Sequence, residues 1–221
     1  LATVGVDPIT LGVISPPSEY GADIVVGDIQ PLGIHMYGGG GLGGFIASND
    51  NPELIAEYNA LLVSIAPGLR PGEFGFDYST FDRTSYEKRG LSPDYIGTTQ
   101  WLWAIIAGVY LSLMGPVGMN EVGKTIMERS SYASNKLGNI PGIKSPSLSN
   151  LFFKEFVVDF SDTGKTVEEI NIDLLDRGVF GGFDLSSQFK CLGQSSLYCV
   201  TEVHTKDDID FLTQSLKEIL T

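Results

Sequence analysis

The chain has 221 residues, 43% of them hydrophobic, which is enough for one large domain or two small ones with a sizeable core. Fourteen basic against 27 acidic residues give a net charge of −13 and a sequence pI near 4.4. That balance argues against binding a phosphate backbone, which needs clustered Lys and Arg, and the composition shows neither low complexity nor the polarity of a disordered chain.

In chain order, Thr3–Val6 is predicted as a short apolar strand, stopped at Asp7-Pro8 because proline cannot donate to a ladder. Asp7 then sits at the carboxyl end of a strand, where α/β sheets bind ligands; it is equally read as an Asp-Pro turn residue. Leu11–Tyr20, with Pro16-Pro17, is a connection. The stretch that organises the rest runs from Gly21 to Ala47. Ile24-Val25-Val26 begins an apolar strand, a polar turn follows, and a four-glycine run, Gly38, Gly39, Gly40 and Gly41, precedes a second apolar strand, Gly44–Ala47. A glycine run permits positive φ and close backbone approach. It suits either a tight turn packed on a neighbour or a backbone cradle for an anion such as a cofactor phosphate.

Asn49–Pro52 reads as a helix start, with a short helix expected over Glu53–Leu62, and Pro67-Gly68 and Pro71-Gly72 close the next loop. The charged and aromatic stretch Asp77–Leu91 is expected as a loop. Thr98-Thr99 caps the apolar run Gln100–Met114, and a threonine hydroxyl there could also reach a phosphate at the helix N-terminus. Trp103–Leu113 contains no charge, is shorter than a membrane span needs, and is expected as a buried core helix. Gly115-Pro116 breaks the helix, and Val117–Leu137 resumes it up to Gly138-Asn139.

The remainder reads as α+β: a strand over Phe152–Phe160, then an amphipathic helix over Thr166–Arg177 with Val167, Ile170, Leu174 and Leu175 on one face. A Gly181-Gly182 turn, a strand over Ser196–Val203 and a helix over Thr205–Leu220 follow; in the last, Ile209, Leu212, Leu216 and Ile219 form the apolar side. Cys191 and Cys199 match no zinc or redox spacing, and His35 and His204 do not complete one. Two reduced thiols and the lack of a signal-peptide pattern suit a cytoplasmic protein.

Tyr20–Gly33, YGADIVVGDIQPLG, resembles the glycine decarboxylase P-protein family, whose subunit 1 type reads roughly YGADIVVGDGQPLG. In the other, catalytic type, the segment reads roughly GADVCHLNLHKTF before a GGGG run. Laid on Gly21-Ala22-Asp23 and Gly38–Gly41, that type's His-Lys pair falls on Gln30 and Pro31. Proline has no amine, so the Schiff-base lysine for pyridoxal phosphate (PLP) is missing here. Leu197–Asp210, LYCVTEVHTKDDID, is similar to the end of subunit 1, which commonly reads LLVCVTE and then TKEEID. The resemblance is strong at Asp7–Gly33, Gln100–Gly115 and the C-terminus, and weak at Met36–Gly44 and Phe74–Ile96. There the family's TSNICTNQ is replaced around Asp94-Tyr95, while Thr98 and Gln100 keep register.

The resemblance implies an α/β fold: residues 1–115 as the C-terminal part of a PLP-transferase-like large domain with its connecting helix, and 116–221 as a small α+β domain. It implies that the N-terminal portion of the fold lies outside this sequence. It places Asp7 where such enzymes pair an aspartate with the cofactor's pyridine nitrogen, and puts His35, Gly38–Gly41, Thr98 and Thr99 near the site, with no catalytic residue and no metal ligand. A lysine-bearing P-protein subunit 2 would hold PLP, decarboxylate glycine and pass aminomethyl to a lipoyl carrier (H) protein; nucleic acid and membrane are not expected partners. The alternatives are a paralogue serving another PLP enzyme, to which the Asp94-Tyr95 replacement points, and a structural or interaction subunit with its cofactor pocket closed.

Overall fold

The computed structural model describes residues 1–34, 43–58, 62–78 and 101–220, and the chain divides into two compact units, Leu1–Gly115 and Pro116–Thr221. In the first, β1 (Thr3–Val6) pairs in parallel with β2 (Ile24–Asp28), and β2 pairs antiparallel with β3 (Gly44–Ser48). The expected proline stop operates as predicted: after Val6 the chain enters a 3-10 turn at Pro8–Gly12, with Asp7 as its N-cap. A short helix, α1 (Pro52–Ile55), is capped by Asn51, whose side chain accepts from Glu53 N. Helix was expected over Glu53–Leu62; among the described residues it ends at Ile55, and residues 59–61 lie outside the described residues.

The segment read as a loop around the two Pro-Gly pairs is a hairpin. β4 (Val63–Pro67) pairs antiparallel with β5 (Phe74–Tyr78), joined through Gly68–Glu73. Gly68 N donates to Glu73 O at 2.7 Å, and Gly72, at φ +83, supplies the left-handed turn. Pro67 is the last residue of β4 and leaves the ladder bonds before it intact, while Pro71 sits in the connecting turn.

The helix α2 covers Trp101–Gly138 and is interrupted at Gly115, whose φ of 58° and ψ of −174° are non-helical; Pro116 follows. The break expected at Gly115-Pro116 is therefore present, and it falls between the two units. The expectation that the first segment is a buried core helix does not hold. Ala107 is buried, and Trp103, Ile106 and Tyr110 are half-buried on the same face. Trp101, Leu102, Ile105, Val109 and Leu113 are exposed. By length and composition α2 is also apolar enough to cross a membrane, with an 18-residue window of mean hydropathy 1.7.

The second unit holds a closed core. β6 (Glu155–Asp159) and β7 (Phe183–Asp184) flank β8 (Ser195–Cys199) in an antiparallel sheet. Helices α3 (Val167–Leu175) and α4 (Lys206–Ile219) each begin with a capping box, Thr166 with Glu169 and Thr205 with Asp208. Phe156, Val158 and Phe160 alternate into the core and meet Val167, Ile170 and Leu174 of α3, Ile209, Leu216 and Ile219 of α4, and Ala133 and Leu137 of α2. Leu175, expected on the buried face of α3, is exposed, because it falls 100° around the helix from Leu174.

Candidate functional site

The sheet of the first unit gathers the sequence candidates at one end. Because β1 and β2 are parallel and Val6 pairs with Gly27, their carboxyl ends lie together, and Gly44 opens β3 opposite Asp28. Asp7, Asp28 and both ends of the 29–43 connection therefore share the edge where α/β sheets bind ligands. Asp7 is half-buried; one of its carboxylate oxygens accepts from Ile9 N at 2.9 Å, and its carbonyl accepts from the Thr10 hydroxyl at 2.6 Å. Both the end-of-strand reading and the turn reading thus describe Asp7.

Of the remaining candidates, His35, Gly38, Gly39, Gly40, Gly41, Thr98 and Thr99, together with Asp94, Tyr95 and Gln100, lie outside the described residues. What is described is the approach to the glycine run. Asp28 Oδ1 accepts from Gln30 N at 2.6 Å, and Gln30 Nε2 donates to Ile34 O at 3.0 Å, so a tight polar turn carries Gln30 and Pro31 off the end of β2. Leu32 and Ile34 are buried beneath it. Gly33, at φ +78, sits against the Tyr110 ring of α2, with only 3.0 Å between Tyr110 Cδ2 and the place a Cβ would occupy. Gly43 likewise abuts Ile29 and Trp103. Close approach to Tyr110 of α2 accounts for Gly33 and close approach to the Ile29 side chain for Gly43, in neither case approach to a ligand.

Sequence reasoning missed Asp28 as a member of this edge, and named Gln30 only as the residue aligned with the catalytic type's His. The available signal was the position of Asp28 at the end of an apolar strand, the same argument that singled out Asp7. Gln30 Oε1 is buried and has no hydrogen-bond partner among the described residues, an orphan acceptor one residue from Pro31. A cofactor bound as a Schiff base needs an amine here, and the turn Ile29–Ile34 offers a ring-locked proline instead. The one lysine of residues 1–115, Lys88, lies outside the described residues. The residues of this turn do not fit covalent attachment of PLP.

In the second unit, a shallow depression of about 340 Å³ is lined by Glu128, Arg129, Tyr132, Lys206 and Ile209. Beside it Asp210 accepts from the Tyr132 hydroxyl at 2.7 Å and pairs with Lys136 at 2.8 Å and with Lys206. Lys136, then Lys206 and Tyr132, hold the Asp210 carboxyl well below the usual carboxylate range. The cations are thereby committed to a structural carboxylate, and the sequence reading had not singled this cluster out.

The family model described as glycine cleavage system P-protein matches residues 1–216. Over 220 residues the chain is 34% identical to the probable glycine dehydrogenase (decarboxylating) subunit 1 of Staphylothermus marinus and 38% identical to that of Saccharolobus islandicus. All of this chain is covered in both cases, but only 46% of each relative, so it spans about half their length. A crystal structure of glycine decarboxylase (P-protein) of the glycine cleavage system, in inhibitor-bound form, superposes with a TM-score of 0.83 at 32% identity, over 98% of this chain and 48% of that one. The α/β, PLP-transferase-like fold expected from the sequence is the fold found. Matched from its first strand to its last helix, the chain belongs to the glycine cleavage system P-protein family.

Proposed function

We propose that this chain is part of the lysine-less, subunit 1 type component of a glycine dehydrogenase (decarboxylating). Its partner subunit holds PLP, which acts there as the electron sink for decarboxylating glycine, with aminomethyl passed to a lipoyl carrier protein. The observation that carries this reading is Pro31. It stands at the carboxyl ends of β1 and β2, where the resemblance puts the Schiff-base lysine of the catalytic type. The names of the relatives, subunit 1 of a multi-subunit enzyme, support a partner. On this reading Asp7, His35, Gly38–Gly41, Thr98 and Thr99 shape the approach to the partner's site rather than carry a chemical step.

Borohydride reduction of the assembled complex, followed by mass mapping, tests the assignment. The reduced pyridoxyl adduct is expected on the partner alone. An adduct on any lysine of this chain would overturn it.

A further inference from the structure

The turn between β8 and α4 is closed by its own histidine. Thr201 N lies 3.0 Å from His204 Nδ1, and the Thr201 hydroxyl lies 3.4 Å from the same nitrogen. A backbone N–H can only donate, so Nδ1 is the acceptor and the neutral ring carries its proton on Nε2. His204 N returns a bond to Thr201 O at 3.3 Å. From α2, the Arg129 guanidinium donates to Glu202 O and, at 2.8 Å, to His204 O. Next in the chain, Asp208 Oδ2 accepts from Thr205 N at 2.8 Å and from the Thr205 hydroxyl at 2.7 Å, which caps α4. His204 is half-buried, so water has access to the turn.

One proton changes this arrangement. An imidazolium bears hydrogen on both nitrogens and accepts at neither. The Thr201 hydroxyl can turn to receive the new proton, but the Thr201 N–H loses its acceptor. We infer that the Thr201–His204 turn is an acid-opened latch, shut by neutral His204 and released at its Thr201 end when the ring takes up a proton. The charged groups around the ring act in both directions. Arg129 of α2 repels an imidazolium, while Glu202 in the turn and Asp208 of α4 carry the opposite charge. The Thr205 hydroxyl and then its amide hold the Asp208 carboxyl below the usual carboxylate range, and a charged His204 adds to the same effect. Lys206 and Asp207 follow the cap in the first turn of α4, and Glu128 of α2 lines the adjoining depression. On the β6 side stand Lys154, whose carbonyl accepts from Val200 N, and Glu155, opposite Cys199. An imidazolium turned toward Asp208 meets a carboxylate instead of an amide, which favours the open turn in acid. Arginine stays charged throughout, so its two carbonyl bonds persist and the opening remains local. The inference concerns the second unit alone and holds whichever subunit carries the PLP lysine.

Ring nitrogen-15 shifts and amide exchange test the latch on the whole 221-residue chain. At pH 8 the His204 Nδ1 resonance is expected where a bare ring nitrogen falls, and Nε2 where an N–H falls. Protection of the Thr201 amide, normalised to the intrinsic exchange rate at each pH, should drop about tenfold between pH 8 and pH 5.5. One unit below the ordinary histidine value of about 6.5 leaves roughly one ring in ten neutral. His204→Asn carries an acceptor, Oδ1, the same number of bonds from Cα and does not titrate, so its Thr201 protection should be equal at the two pH values. His204→Ala should show the low protection at both. The inference fails if the proton at pH 8 sits on Nδ1, or if Thr201 is unprotected there. It also fails if the parent is equally protected at both pH values, if His204→Asn loses protection as the parent does, or if His204→Ala keeps it.

Discussion

A methyl group placed on Gly182 would lie 2.5 Å from Ser196 Oγ and 2.6 Å from Tyr198 Cε2, both in the buried interior of the second unit. Neither neighbour can swing away into solvent, so Gly182→Ala overpacks the core and should cost about 1–3 kcal/mol, read as a lower urea midpoint at unchanged slope. Gly75→Ala, where a Cβ meets nothing within 4 Å, is the control and should leave the midpoint in place. A loss no larger than the control's would show that the strand relaxes freely around the new methyl. The pair Gly181-Gly182 was readable as a turn, but its reason was not, because Tyr198 meets it only through the pairing of β7 with β8. Pro31 is the opposite case: its chemical meaning lies in its identity, and no fold is needed to see that it has no amine.

At the scale of elements, what depends on neighbours within one helical turn was readable in advance. Both capping boxes, the helix stop at Gly138 and the break at Gly115 follow from local rules. What depends on cross-strand partners was not: the β4–β5 hairpin passed for loop because its strands are short and two Pro-Gly pairs sit at and beyond the end of the first. The junction between α2 and α4 belongs to the same class. Tyr132 and Lys136 on one helix and Lys206 on the other converge on Asp210, with both ammonium groups also over the Tyr132 ring at 5.5 and 5.7 Å. Asp210 is depressed in the folded state, so its contribution is present above the ordinary aspartate pKa of about 3.9 and is lost as the pH falls through and below it. Asp210→Asn should therefore lower the thermal midpoint near neutrality, with the gap to the parent closing below about pH 4. A gap that stays constant from pH 7 to pH 3 would assign the effect to geometry rather than charge.

For the molecule as a whole, among the described residues, the second unit holds the large buried cluster and the first unit has fewer buried apolar side chains. Local stability follows buried apolar contacts, so amides of β6, β8, α3 and α4 in the isolated chain should exchange about tenfold or more slowly than those of the β4–β5 hairpin. Equal protection in both would mean that the exposed aromatic face is already covered in the isolated chain. The division at Gly115 has a plain physical basis: a residue at φ 58° followed by a proline cannot transmit an unbroken helix, so each side can pack on its own.

The sequence by itself determined the family, the absence of an amine at position 31, the capping and breaking of the helices and the apolar face of α4. Each is written in residue identity or in spacings of a few residues, which act over one turn or one strand. Only the tertiary structure decided that Asp7 and Asp28 share the carboxyl end of a parallel pair, that residues 63–78 form a hairpin with an aromatic face, and that the apolar run after Gln100 lies half open rather than buried. Burial depends on what the rest of the polypeptide brings to a face, and hydrophobicity along a chain carries no record of whether that partner is present.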